Sequence, residues 1–136
     1  MSRSSDALVL FANEAFYTAF GSGDYAAMDD LWAEDAPVAC LHPGAAPLFD
    51  RADIMKSWQD ILTSGPNGMM SQDARIVARG EVSIVVCYEV VGQGALVASN
   101  AFVEEGGRWR MVLHQAGPCP GAPSMPPGER MSTRLN

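Results

Sequence analysis

The chain carries two histidines, His42 and His114, and three cysteines, Cys40, Cys87 and Cys119, and these bound its chemistry. Histidine exchanges protons near neutrality, so either imidazole could serve as a general base if it faced a cavity. His42 ends a short strand-like run and is followed by Pro43-Gly44, where a cavity mouth often lies. It is the candidate catalytic residue. His114 falls, by alternation, with Ser99, Arg110 and Val112, on a face expected to meet solvent, Glu89 or a second chain. Cys40 shares a strand face with His42 at a backbone separation of about 7 Å, beyond a direct hydrogen bond. The carboxylates Asp35, Asp50 and Glu89 stand off the face that carries the amides. The acids Asp29, Asp30, Glu34 and Asp35 have no histidine at ligand spacing, so no metal is expected. With no phosphate-binding glycine loop, no G-x-S-x-G elbow and no H-E-x-x-H, no cofactor is expected either. Proton transfer or simple binding remains.

The element that must position these groups is a strand pair over 95–105 and 108–116, hinged on Gly106-Gly107, two glycines suited to a turn of positive φ. A two-residue turn sets Glu105 opposite Arg108, Phe102 opposite Met111 and Asn100 opposite Leu113. One face then carries Ala98, Asn100, Phe102, Trp109, Met111, Leu113 and Gln115. An apolar face that keeps two amides lines a cavity or satisfies buried backbone. Tyr88, in parity with Ile84 and Val86, is expected to join that face, with His42 from the first strand. The opposite face, with Val85, Cys87, Val97, Ala101, Val103 and Val112, is apolar enough to predict a homodimer contact of ~800 Å² per partner. Trp109 is expected between the sheet and the third helix, near Trp58.

Apolar spacing predicts a helix over 6–20, with Leu8, Phe11, Ala12, Ala15, Phe16, Ala19 and Phe20 on one side. Asp24 caps a short second helix, and Asp50 a third containing Ile54, Trp58, Ile61 and Leu62. Beyond Met70 the period changes to two. Three helices followed by a meander give an α+β fold with a mostly antiparallel sheet. The length allows one domain, 1–118, followed by a Pro-rich tail, 119–136, expected to lie as an extended arm. A net charge of −7 argues against nucleic acid and anionic membrane. No apolar run of ~18 residues and no signal-like start is present, and the odd cysteine count indicates reduced thiols, so the expected location is cytoplasmic.

Leu31-Trp32-Ala33-Glu34-Asp35, Cys40-Leu41-His42-Pro43-Gly44, Ser57-Trp58, Asn100-x-Phe102, Gly107-Arg108-Trp109-Arg110-Met111-Val112 and His114-Gln115-Ala116 resemble segments of the nuclear transport factor 2-like superfamily, and within it the SnoaL-like group. The resemblance spans about 6–118. It implies a cone-shaped, curved antiparallel sheet wrapped around three N-terminal helices, a cystatin-like roll, usually dimeric. The group includes ketosteroid isomerases, polyketide cyclases and dehydratases. Matched residue by residue, the isomerase tyrosine falls on Phe16, its general-base aspartate on or beside Cys40, and its protonated aspartate on Asn100. The implied ligand pocket is Phe16, Cys40, His42, Trp58, Tyr88, Asn100, Phe102, Met111, Leu113 and Gln115. Two readings stay open. One is a dimeric module that binds a small, largely apolar ligand without strong catalysis. The other is a cyclase, isomerase or dehydratase with His42 as acid-base residue and Asn100 as donor.

Overall fold

The computed structural model describes residues 3–123. Helices α1 (Arg3–Ser22), α2 (Tyr25–Leu31) and α3 (Arg51–Leu62) precede four of the five strands, β2 (Met70–Ala78), β3 (Ser83–Val91), β4 (Gly94–Glu105) and β5 (Arg108–Pro118). The remaining strand, β1 (Ala39–Leu41), lies between α2 and α3. The sheet order is β1-β5-β4-β3-β2, antiparallel except that β1 runs parallel to β5. This is the expected α+β architecture, an open curved sheet with the helices against one face.

Local chemistry explains the boundaries. Asp24 accepts a hydrogen bond from Ala27 N at 3.0 Å and so caps α2. Asp50 occupies the cap position of α3 but makes no side-chain cap bond. Gly106 and Gly107 take φ of 61° and 78°, which lets β4 turn into β5 in two residues.

The core collects Phe16, Trp32, Trp58, Phe102 and Met111 between helices and sheet. Three expectations about faces fail. Helix α1 buries Val9, Asn13, Phe16 and Tyr17, while Leu8 and Phe11 of the expected stripe are exposed, Phe11 by 74%. On β3 the inward residues are Ser83, Val85, Cys87 and Glu89. Val85 and Cys87 therefore belong to the core and not to an outer contact face. Trp109 is buried, but it borders a cleft with Leu8, Phe11 and Ala12 of α1 and Leu31 of α2. The rings around Trp58 are Phe16, Phe20, His42 and His114. Trp109 thus shares a cleft with the first two helices, apart from the rings around Trp58.

No helix among the described residues is long and apolar enough to cross a membrane. Of the tail assigned to 119–136, residues 124–136 lie outside the described residues.

Candidate functional site

The polar interior is built by α1, β3, β4 and β5. Between Ala101 and Phe102 the β4–β5 ladder slips by one residue: Phe102 pairs with Met111 as the Gly-Gly turn requires, but Ala101 pairs with Leu113 and Asn100 with His114. Such a slip reverses the facing of everything beyond it. His114 therefore turns inward, and Leu113 and Gln115, assigned to the pocket from alternation, fall on the other face, where Gln115 is exposed. Tyr88 leaves the pocket for a related reason. The two-residue turn Gly92-Gln93 pairs Val85 with Asn100 and Tyr88 with Val97, so Glu89, not Tyr88, shares the inner side with Asn100.

Four buried side chains then close a ring. The Tyr17 hydroxyl donates to Glu89 Oε2 at 2.7 Å. Asn100 Nδ2 donates to Tyr17 Oη at 3.1 Å and to Asn13 Oδ1 at 2.9 Å. Asn100 Oδ1 can only accept, so the 2.7 Å contact to His114 Nδ1 makes that nitrogen the proton carrier. The lone pair on His114 Nε2 is left facing Glu89 Oε2 at 3.7 Å, longer than a hydrogen bond. Glu89 is 2% exposed, His114 1% and Asn100 0%.

Burial governs the charges. It pushes the Glu89 carboxyl above its ordinary range, against the opposing Tyr17 bond. It pushes His114 down to about 3, with the neighbouring His42 adding to the effect. The Tyr17 phenol is raised by burial and then by Glu89, so it stays protonated as a donor. The ring thus favours a neutral imidazole beside a carboxyl that holds its proton more tightly than usual.

A second group adjoins it. Ser57 Oγ gives its proton to the Ile54 carbonyl at 2.6 Å, so His42 Nε2, 2.9 Å away, must donate to Ser57. That leaves His42 Nδ1 as the basic nitrogen. Burial lowers the His42 pKa, and its ring lies 4.9 Å from Trp58 and 6.3 Å from His114. Cys40 Sγ reaches to 3.5 Å of His42 Nε2, closer than the strand spacing suggested, because both side chains lean together. Burial pushes the Cys40 thiol up to about 12, which suits a core hydrophobe and not a nucleophile.

Of the sequence-assigned residues, Phe16, Cys40, His42, Trp58, Asn100, Phe102 and Met111 therefore meet on the inner side, and Tyr88, Leu113 and Gln115 do not. Tyr17 was missed, and Glu89 and His114, expected to meet on the outer face, meet in the interior instead. Two signals could have found them: Asn13 and Tyr17 stand at helical spacing from Val9 and Phe16, and the Gly92-Gln93 turn, read as a two-residue hairpin, puts residue 89 in parity with residue 100.

No group of His, Cys, Asp and Glu among the described residues could hold a metal ion.

Similarity to known proteins agrees with this architecture. The family model for the SnoaL-like domain matches residues 9–119. No curated protein matches the chain. A candidate dehydratase of the NTF2-like family from Streptomyces avermitilis is 26% identical, with a TM-score of 0.75 over 87% of this chain and 99% of that one. A candidate calcium/calmodulin-dependent protein kinase type II association domain from Thiobacillus denitrificans is 33% identical, with a TM-score of 0.66 over 79% of this chain and 92% of its own. A Nostoc punctiforme protein of unknown function with a cystatin-like fold, 14% identical, superposes with a TM-score of 0.73 over 93% and 97% of the two chains and speaks for the fold alone. With the matched domain covering most of its length, this chain belongs to the family of SnoaL-like domains within the NTF2-like superfamily.

Proposed function

We propose that the protein is an acid-base catalyst of the cyclase, isomerase or dehydratase type, with Glu89 and His114 as its proton-carrying pair. The single observation behind this is the placement of His114 Nε2 against Glu89 Oε2 inside a ring completed by Tyr17 and Asn100. Glu89 and His114 give the interior two titratable groups beside His42. A buried carboxyl, imidazole, phenol and amide together cost folding free energy that apolar side chains would not. Burial keeps the His114 imidazole an unprotonated acceptor and raises the Glu89 carboxyl above its ordinary range, the directions that a proton acceptor and a proton donor each need.

The division of labour follows from the hydrogens. The neutral imidazole of His114 has a free lone pair on Nε2 to take a proton from carbon, and the Glu89 carboxyl, which burial makes hold a proton more tightly than usual, is the group that can return one. Tyr17, held as a phenol, and Asn100 Nδ2 are donors suited to a carbonyl oxygen that gains negative charge. His42, with Nδ1 as its basic nitrogen, is the residue that could exchange protons with this pair from the less buried side. The dehydratase description of the Streptomyces neighbour is in keeping with such chemistry.

The same reading takes the protein as a homodimer. The outer sheet face carries Ile84, Val86, Val97 and Leu113 on neighbouring strands, half-buried or exposed, and a second copy is the occupant we assign.

The closure of the ring favours the second reading, in which the domain binds without catalysis and the polar core only stabilises it. Proton exchange separates the two. Enolisable ketones incubated with the protein in D2O should lose α-protons, followed by NMR, faster than in buffer. Equal rates across a panel of cyclic and linear ketones would leave the non-catalytic reading.

A further inference from the structure

Glu89 is almost fully buried, yet it forms part of the wall of an open cleft of about 310 Å³, where Val91, Ala95 and Leu96 meet Pro118 and Cys119. That volume lies at the lower end of the range for small-molecule sites, ~300 to 1,000 Å³. Glu89 Oε2 is committed to Tyr17. Among the described residues Oε1 has no hydrogen bond, although the carboxyl sits against apolar walls. Oε1 is not sealed in the core and is reached from the cleft. The far wall is fixed: Ala122 is fully buried against Ala95, and Tyr88, Val90 and Cys119 pack around the two. Cys119 is half-buried in this wall, whereas Cys40 and Cys87 are buried.

We infer that this cleft is the port by which an uncharged, mostly apolar molecule with one hydrogen-bonding oxygen reaches Glu89, and that a group added to the Cys119 sulfur closes it. The inference deepens the acid-base reading and takes its site from it. The net charge of −7 disfavours an anion here. An oxygen acceptor or donor would find the one uncommitted carboxyl oxygen, and the rest of the molecule would lie on Leu96, Val91 and Pro118.

Iodoacetamide supplies the test on the intact protein. The Cys119 thiolate attacks the methylene carbon, a C–S bond forms, the C–I bond breaks, iodide leaves and the thiol proton passes to buffer. Because the other two thiols are buried, the folded protein should gain a single adduct, on Cys119. Methyl NMR spectra are then titrated with cyclohexanone, and with cyclohexanecarboxylate as the charged counterpart. Cyclohexanone should shift the Leu96 and Val91 methyls, and alkylation should weaken its binding at least tenfold. Cys119→Ser protein should bind equally well with and without treatment by the same reagent. The inference is overturned by binding that alkylation leaves unchanged, by shifts confined to Leu8 and Leu31 at the α1 cleft, or by equal binding of the carboxylate. Binding that alkylation abolishes, without any α-proton exchange, would support the port and remove the acid-base reading.

Discussion

Asn100 Oδ1 and His114 Nδ1 lie 2.7 Å apart on paired positions of β4 and β5, and neither residue is open to solvent. They meet only because the ladder slips between Ala101 and Phe102. In an unslipped ladder Leu113 would face Asn100, and His114 would point away from the helices.

Asn100 is the hub of the ring, so its truncation should be expensive. Asn100→Ala leaves Asn13, Tyr17 and His114 each short of a partner in a buried setting, and a cavity besides. At ~1 to 3 kcal/mol for an unsatisfied buried group, the expected loss is about 3 kcal/mol in denaturant unfolding. A loss below ~1 kcal/mol would show that the ring does not bind these residues together.

Stability should fall in acid through His114. Its native pKa, about 3, is below the ordinary value of 6.5, so the unfolded chain takes up a proton that the native chain refuses. The stability is present above pH ~6.5 and is lost as pH falls toward 3. Glu89 has the opposite sign: its raised pKa favours the native state at low pH, and this contribution fades as pH rises through its native value. His114→Phe should flatten the acid slope measured by thermal unfolding between pH 6.5 and 4, whatever its effect on stability at pH 7.

Two of the three core tryptophans, Trp58 and Trp109, should behave differently. Trp58→Ala removes ring contacts with Phe16, Phe20 and His42 and should cost ~3 to 5 kcal/mol. It should also move the His42 ring resonances in NMR spectra. Trp109→Ala should cost ~3 kcal/mol through the loss of its buried ring from the core and leave those resonances in place.

The homodimer should be visible by analytical ultracentrifugation at micromolar concentration. Val97→Asp, on the outer face opposite Tyr88, should shift the protein toward monomer without unfolding it. Sedimentation of the native chain as a monomer would reject the assignment.

The fold was readable in the sequence because its signals are local. The change of period after α3, the Asp24 cap and the Gly106-Gly107 turn each act within a few residues, and all three match the structure. The site was readable in part. Cys40, His42, Asn100, Phe102 and Met111 follow from alternation close to a turn or a strand end, and Trp58 from the helical spacing of α3. His114 does not, since the slip falls at Val112-Leu113, two apolar residues with no glycine or proline to mark a bulge. Glu89 was lost by placing Tyr88 in phase with Asn100, although the Gly92-Gln93 turn sets the other parity. On α1 the residues Leu8 and Phe11 drew the apolar stripe toward solvent, which hid Asn13 and Tyr17 on the buried side.

The most direct test of the acid-base claim is the rate of α-proton exchange of an enolisable ketone in D2O, compared between the native protein and Glu89→Gln. The amide keeps the shape and can still accept from Tyr17, but it cannot carry the proton. General acid-base groups contribute ~10²- to 10⁴-fold, so Glu89→Gln should slow exchange at least ~100-fold while circular dichroism and the unfolding midpoint show a folded protein. Exchange by the native protein no faster than buffer, or equal rates in the native and Glu89→Gln proteins, would contradict the account.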